Sequence, residues 1–283
     1  MVPDRQTDTV FISDMLGKNC RYRGIVLALK NIFGNKLREI PGTRDIWVRD
    51  YMPIQIDVGR FVQFRYNPDY LKKCPNCRTE NACRLLKRTQ GCVQSDLAID
   101  GGNIVRWHNA VIMTKKIFRE NPGYKTVQDR QRLQDELKGI LEVENLVLIE
   151  PERGDMFGHS DGMVRFVDDG TLLVNEGRHS AHARQVASQL MEMDRKFKTI
   201  PFPYRPTDKV TGGIPSAKGV YINFLQTSDT IVYPTFGQSE DQQAKETLQR
   251  VFPGCEIIGL ECNALADKGG VLNCITWNVR GPV

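Results

Sequence analysis

Residues 128–176 carry QDRQRLQDELKGILEV (128–143), NLVLIEP (145–151), the polar string Gly158-His159-Ser160-Asp161, MVRFVDD (163–169) and TLLVNE (171–176). Leu133, Leu137, Ile140 and Leu141 recur at helical spacing and give the first segment one apolar face, which predicts an amphipathic helix. The short apolar runs after it read as strands. The same sequence of helix, strand, polar motif and strand recurs through the chain at a spacing of about fifty residues, a period that marks repeated supersecondary units.

Outward from that stretch, YRGIVLALKNIF and KLREI precede Trp47-Val48-Arg49-Asp50 and MPIQIDV. CRLLKRTQG, read as a helix, precedes Asp100-Gly101-Gly102-Asn103 and NAVIMTKK. ARQVASQLMEMDRKF and KTIPFP precede GVYINFLQTSDTIVYP. Last, QQAKETLQRVF is stopped by Pro253-Gly254 and followed by EIIGLE, then Gly269-Gly270-Val271-Leu272-Asn273-Cys274-Ile275-Thr276, then ITWNV. One arrangement brings the polar motifs together: an α/β fold in which five units close into a ring and their equivalent loops converge near the axis. No linker interrupts the series, so residues 1–283 are expected to form a single domain, with a Cys-rich insertion at 72–93 decorating the second unit.

The motifs supply a cysteine, a histidine and carboxylates, the components of a nucleophilic hydrolase acting on a cationic group. Their types and order resemble the agmatine deiminase and bacterial peptidylarginine deiminase family, part of the guanidine-modifying superfamily whose fold is a five-bladed β/α-propeller with pseudo-fivefold repeats. The resemblance covers almost the whole chain. It rests on the W-x-x-D motif, the acidic-Gly-Gly-Asn motif, G-H-x-D before an apolar strand, Tyr221-Ile222-Asn223-Phe224 and the Gly-Gly…Cys-x-Thr ending. It departs from many relatives in having Asp100 where they have Glu and Asn273 where they have His.

The resemblance implies hydrolytic deimination through a covalent intermediate on Cys274, with agmatine converted to N-carbamoylputrescine and ammonia. Asp50 and Asp161 are expected to grip the planar guanidinium through paired, charge-assisted hydrogen bonds. His159 is the expected acid and base, and Asp100 the group that orients it. Trp47 is assigned to an aromatic wall, with core packing as the alternative, and Asn223 to a neutral hydrogen-bonding position in the pocket. No cofactor is implied. Three other activities stay open: peptidylarginine deimination to citrulline, amidino transfer to an amine, and a noncatalytic propeller that serves as a binding module. Arg49, Arg65 and Lys72-Lys73 bear on the first, because they could attract a carboxylate that agmatine lacks.

Composition narrows the partners. The net charge of +5 arises from 39 basic and 34 acidic residues that are interspersed, which gives nucleic-acid binding no support. No long apolar run predicts a membrane span, and the N-terminal stretch with Asp4, Asp8 and Asp14 does not read as a secretion signal, so a cytoplasmic protein is expected. In that compartment the eight cysteines should be reduced thiols. Cys74 and Cys77 have zinc-knuckle spacing, and with Cys83 and Cys92 they offer a structural zinc site as the alternative to free or opportunistically oxidised thiols in a surface insertion. Cys20, Cys255 and Cys262 are read as packing residues, and His108, His179 and His182 as surface or structural ones.

Overall fold

The apolar face spaced through residues 128–143 forms as a helix, Val127–Leu141, with Leu133, Leu137 and Leu141 buried. Thr126 and Asp129 close a capping box at its start, so two of the backbone N–H groups that open the helix have side-chain acceptors. Burying each leucine contributes about 1.5–3 kcal/mol, and this face is what ties the helix to the sheet beneath it. In a computed structural model the chain is described throughout except at residues 69–70, 72–73, 80–81, 86–90, 153–154, 178–179, 193–196 and 282–283. Lys72-Lys73 and His179 therefore lie outside the described residues.

Seventeen strands run through the described residues: β1 (Thr9–Ser13), β2 (Leu37–Ile40), β3 (Ile54–Asp57), β4 (Arg60–Arg65), β5 (Cys92–Ala98), β6 (Val105–Arg106), β7 (Ala110–Thr114), β8 (Asn145–Ile149), β9 (Val164–Phe166), β10 (Thr171–Asn175), β11 (Lys198–Phe202), β12 (Val210–Thr211), β13 (Ile214–Pro215), β14 (Leu225–Gln226), β15 (Thr230–Thr235), β16 (Glu256–Glu261) and β17 (Trp277–Val279). The α-helices are α1 (Asp14–Lys18), α2 (Arg23–Phe33), α3 (Val48–Tyr51), α4 (Lys116–Glu120), α5 (Val127–Leu141), α6 (Ala181–Glu192), α7 (Glu240–Val251) and α8 (Asn263–Ala266).

Fifteen of the strands pair into five three-stranded sheets, β17-β1-β2, β3-β4-β5, β6-β7-β8, β9-β10-β11 and β14-β15-β16, while β12 and β13 form a hairpin. In every sheet the first two strands pair antiparallel and the third lies parallel to the middle one. A parallel neighbour needs a crossover, and α2, α5, α6 and α7 supply it in four sheets. The repeat is therefore real, but its phase differs from the sequence reading: each sheet begins at the strand after a polar motif and ends at the strand after the helix. The polar motifs occupy the connections between sheets. In the second unit the start of CRLLKRTQG belongs to a short 3-10 turn, Ala82–Leu85, and the rest of the expected helix, residues 86–90, lies outside the described residues.

The first sheet joins the two ends of the chain, since β1 pairs antiparallel with β17. Side chains from these sheets and their helices pack into buried apolar clusters, the largest running from Val10 through Phe202 and Phe224 to Ile275. Among the described residues no helix is long and apolar enough to cross a membrane.

The insertion corrects two expectations. Cys74 is disulfide-bonded to Cys77 and Cys83 to Cys92, so the four are oxidised thiols, neither the reduced ones expected of the chain as a whole nor zinc ligands. A sulfur committed to a disulfide is not the thiolate that zinc binds, and the Cα separations of 5.4 and 6.7 Å fall within disulfide reach. Cys20 is exposed, where packing was expected, while Cys262 is buried.

Candidate active site

Four of the five connections between sheets line a cavity of about 460 Å³, with Trp47, Asp50, His159, Asp161, Asn223 and Cys274 among its residues. The β2–β3 connection carries Trp47 and Asp50, β5–β6 carries Asp100, β8–β9 carries His159 and Asp161, the long connection from β11 to β14 carries Asn223, and β16–β17 carries Cys274. Polar residues gather here because strand ends leave the connections free of the sheet ladder.

Close backbone approach explains the two glycine pairs. A Cβ on Gly102 would lie 2.5 Å from His159 Nδ1 and 2.7 Å from Asp50 Oδ1, and one on Gly270 would lie 2.6 Å from the Trp47 ring. Only glycine permits both approaches. The Gly102 amide also donates to Asp50 Oδ1 at 3.1 Å. Trp47 answers to both of its sequence readings, since it lines the cavity and packs against the large apolar cluster.

His159 is buried between two carboxylates: its Nε2 lies 3.0 Å from Asp100 Oδ2 and its Nδ1 lies 3.6 Å from Asp50 Oδ1. The shorter Asp100 side chain thus reaches the imidazole directly. Asp100 itself sits behind His159, outside the cavity lining. Burial works against a charged imidazole, but the Asp50 and Asp100 carboxylates outweigh it and raise His159 to about 9. Asp50 is pushed up to about 6 by burial and by the neighbouring Asp100 and Asp161, against the pull of His159. Asp100 is held at about 2 despite its burial, because His159 and Lys116 bond its charged form.

Cys274 Sγ donates to Asn223 Oδ1 at 3.3 Å, and the Cys274 amide meets the same oxygen at 3.3 Å. Burial and the nearby Asp161 and Asp50 carboxylates push its thiol well up. The resting sulfur is therefore protonated, and a cation placed between these carboxylates would cancel the charge that opposes the thiolate.

Several residues of the site were not found from the sequence. Asn273 is not a pocket residue: its Nδ2 donates to Asp161 Oδ2 at 2.7 Å, and its Oδ1 accepts from Arg49 at 3.0 Å and Arg165 at 3.3 Å. Arg49 also bonds Asn278 Oδ1 at 2.6 Å, so it is buried beneath the Cys274 loop and does not present a charge to substrate. Arg49 and Asp50 are both buried. Asp4 lies against Arg106 and Arg165 in the same interior cluster. Lys116, in a run that looks like surface lysines, is buried beside Asp100 and His159. The cavity is completed by Glu152, Asp155, Phe157, Tyr204, Asp208 and Lys209, whose only sequence signal was their place in the connections between sheets. Of the other histidines, His108 is exposed and His182 partly buried.

A family model described as Porphyromonas-type peptidyl-arginine deiminase matches residues 20–279. The chain belongs to this family. Among curated relatives, the agmatine deiminase of Ectopseudomonas mendocina is 24% identical over 279 residues, covering 85% of this chain and 76% of that one. The putative agmatine deiminases of Listeria monocytogenes and Marinomonas sp. are 22% and 25% identical, and the matches span only 58% and 57% of their lengths. Among solved structures, a putative arginine deiminase from Porphyromonas gingivalis has a TM-score of 0.81 at 20% identity, covering 98% of this chain and 97% of that one. The C. jejuni agmatine deiminase has a TM-score of 0.77 at 16% identity, covering 100% and 96%. The chain shares their fold.

Proposed function

We propose that this chain hydrolyses the guanidinium of agmatine to N-carbamoylputrescine and ammonia, with Cys274 as nucleophile. The observation that carries the reading is the charge of the cavity. Its described lining holds five carboxylates, Asp50, Glu152, Asp155, Asp161 and Asp208, while its lysine, Lys209, is paired with Asp267 at 2.8 Å. Such a cavity favours a slim molecule cationic at both ends over one bearing a carboxylate. The names of the relatives support the same substrate.

In this reading Asp50 and Asp161 bind the guanidinium nitrogens and hold the central carbon over Cys274. Cation binding releases the thiol proton to solvent, and the sulfur attacks the carbon. The C–N bond breaks with its electron pair on nitrogen, which takes a proton from His159 and leaves as ammonia. Water then adds to the thiouronium carbon. One water proton goes to His159, the S–C bond breaks with its pair on sulfur, and the second proton returns to the thiol. Asp100 orients the imidazole throughout, and Asn223 holds the sulfur beneath the carbon.

The architecture that we infer for this chemistry is the closed five-bladed ring, one catalytic unit with five loops at one end of its axis. It is supported by the common topology of the sheets, the pairing of β1 with β17 and the shared cavity. The chemistry draws on side chains alone and calls for no cofactor. The test is kcat/KM, with products identified, for agmatine, free arginine, an internal-arginine peptide and a C-terminal-arginine peptide. Agmatine should lead. Preference for a peptide overturns the substrate and keeps the mechanism, whereas inactivity towards all four overturns the reading.

A further inference from the structure

Behind His159, away from the cavity, lies a lysine that the reaction scheme does not use. Lys116 is fully buried, and its Nζ lies 2.8 Å from Asp100 Oδ2, 2.8 Å from Glu120 Oε1 and 3.3 Å from His159 Nε2. The Asp100 oxygen that meets Lys116 is the one that meets His159. The lysine stem packs against the Gly158 turn, where a Cβ would come within 3.5 Å of it, so the ammonium is held in place by the segment that delivers His159. A buried ammonium is costly unless paired, and this one stands at hydrogen-bonding distance from the group that orients the acid and base.

We propose that Lys116 is a positioning residue that shares Asp100 with His159 and thereby keeps the imidazolium acidic enough to hand its proton to the departing ammonia. The inference rests on the assignment of His159 as proton donor. Its electrostatics follow from the neighbours that face the imidazole. Asp50, from α3, and Asp100, from the turn after β5, favour the protonated ring. Lys116, on α4, opposes it directly and also draws on the Asp100 charge. Glu120, on the next turn of α4, shares the lysine; burial and Asp100 push it up to about 8. Phe157, the aromatic neighbour, adds no charge. Without Lys116 both carboxylates act on His159 unopposed, so its imidazolium becomes a weaker acid.

The experiment is an NMR titration of His159 in the substrate-free protein, assigned by the signal lost in His159→Gln. In Lys116→Met the His159 midpoint should rise by about 1 pH unit, a roughly tenfold gain in proton affinity, and in Asp100→Asn it should fall. The alkaline limb of the kcat/KM profile should move with each midpoint. Lys116→Gln, which keeps a donor to Asp100 without the charge, should also raise the midpoint and covers the case in which the methionine variant does not fold. In the unmodified protein the Lys116 ammonium signal should step at the His159 midpoint, a readout that needs no variant. An unmoved or lowered midpoint in a folded Lys116 variant, or a Lys116 signal blind to the His159 titration, overturns the proposal. Because the titration uses no substrate, failure of the agmatine assignment is read separately, in the product assay.

Discussion

Asn273→Asp should disturb the positioning of the substrate-binding carboxylate Asp161 while keeping an acceptor for the buried guanidinium groups. In the parent, Asn273 Nδ2 donates to Asp161 Oδ2 at 2.7 Å while its Oδ1 accepts from Arg49 and Arg165. The substitution keeps an acceptor for both guanidinium groups and replaces the donor to Asp161 by a second carboxylate oxygen. A hydrogen bond to a charged acceptor contributes about 1.5–3 kcal/mol, and each 1.4 kcal/mol is tenfold in rate, so kcat/KM should fall by about 10- to 100-fold. Stability should fall as well, because the lost bond also holds the folded loop and two carboxylates then face each other. Asn273→Ala should lower kcat/KM similarly and also destabilise, by about 2–4 kcal/mol, because buried guanidinium N–H groups lose their acceptor. The assay is steady-state ammonia release beside thermal unfolding of all three proteins. A parental kcat/KM in folded Asn273→Asp would refute the role given to Asn273 in aiming Asp161.

Two further outcomes follow from the site and the insertion. The kcat/KM profile should be bell-shaped: it falls as pH drops through about 6, where Asp50 takes up a proton and loses its grip on the cation, and falls as pH rises through about 9, where His159 loses the proton it donates. A rate that keeps rising above pH 10 would contradict the donor assignment. Thiol titration of denatured, unreduced protein should count the four free cysteines Cys20, Cys255, Cys262 and Cys274, rising to eight after reduction. Eight before reduction would show that the cytoplasmic expectation of reduced thiols holds and that the insertion disulfides do not form.

The legible parts of this chain were those written in local periodicity. The face of α5 can be read residue by residue, because a helix buries side chains at a fixed interval, and the strands can be read as short apolar runs because most of them are buried on both faces. Trp47, Asp50, His159, Asp161, Asn223 and Cys274 of the cavity lining were visible because they stand in short motifs between apolar runs. What stayed hidden depends on distant pairing. That β17 joins β1 fixes the phase of the repeat, and nothing local to either strand announces it. Lys116 follows another lysine and looks solvated, and only the fold brings Asp100 and His159 against it. Asn273 looked like a pocket substitution because its neighbour is the nucleophile, yet successive residues in a tight turn point apart, and it reaches Asp161 from behind. The disulfides turn on oxidation state, which spacing does not encode.

The central claim is that Cys274 attacks a guanidinium carbon. Its most direct test is mass spectrometry of the protein acid-quenched during turnover of agmatine, followed by peptide mapping. The account predicts an adduct of agmatine less one ammonia, confined to the peptide bearing Cys274 and absent from Cys274→Ala, which should fold and release no ammonia. Turnover at a near-parental rate by folded Cys274→Ala, with the parent unmodified at this cysteine, would contradict it.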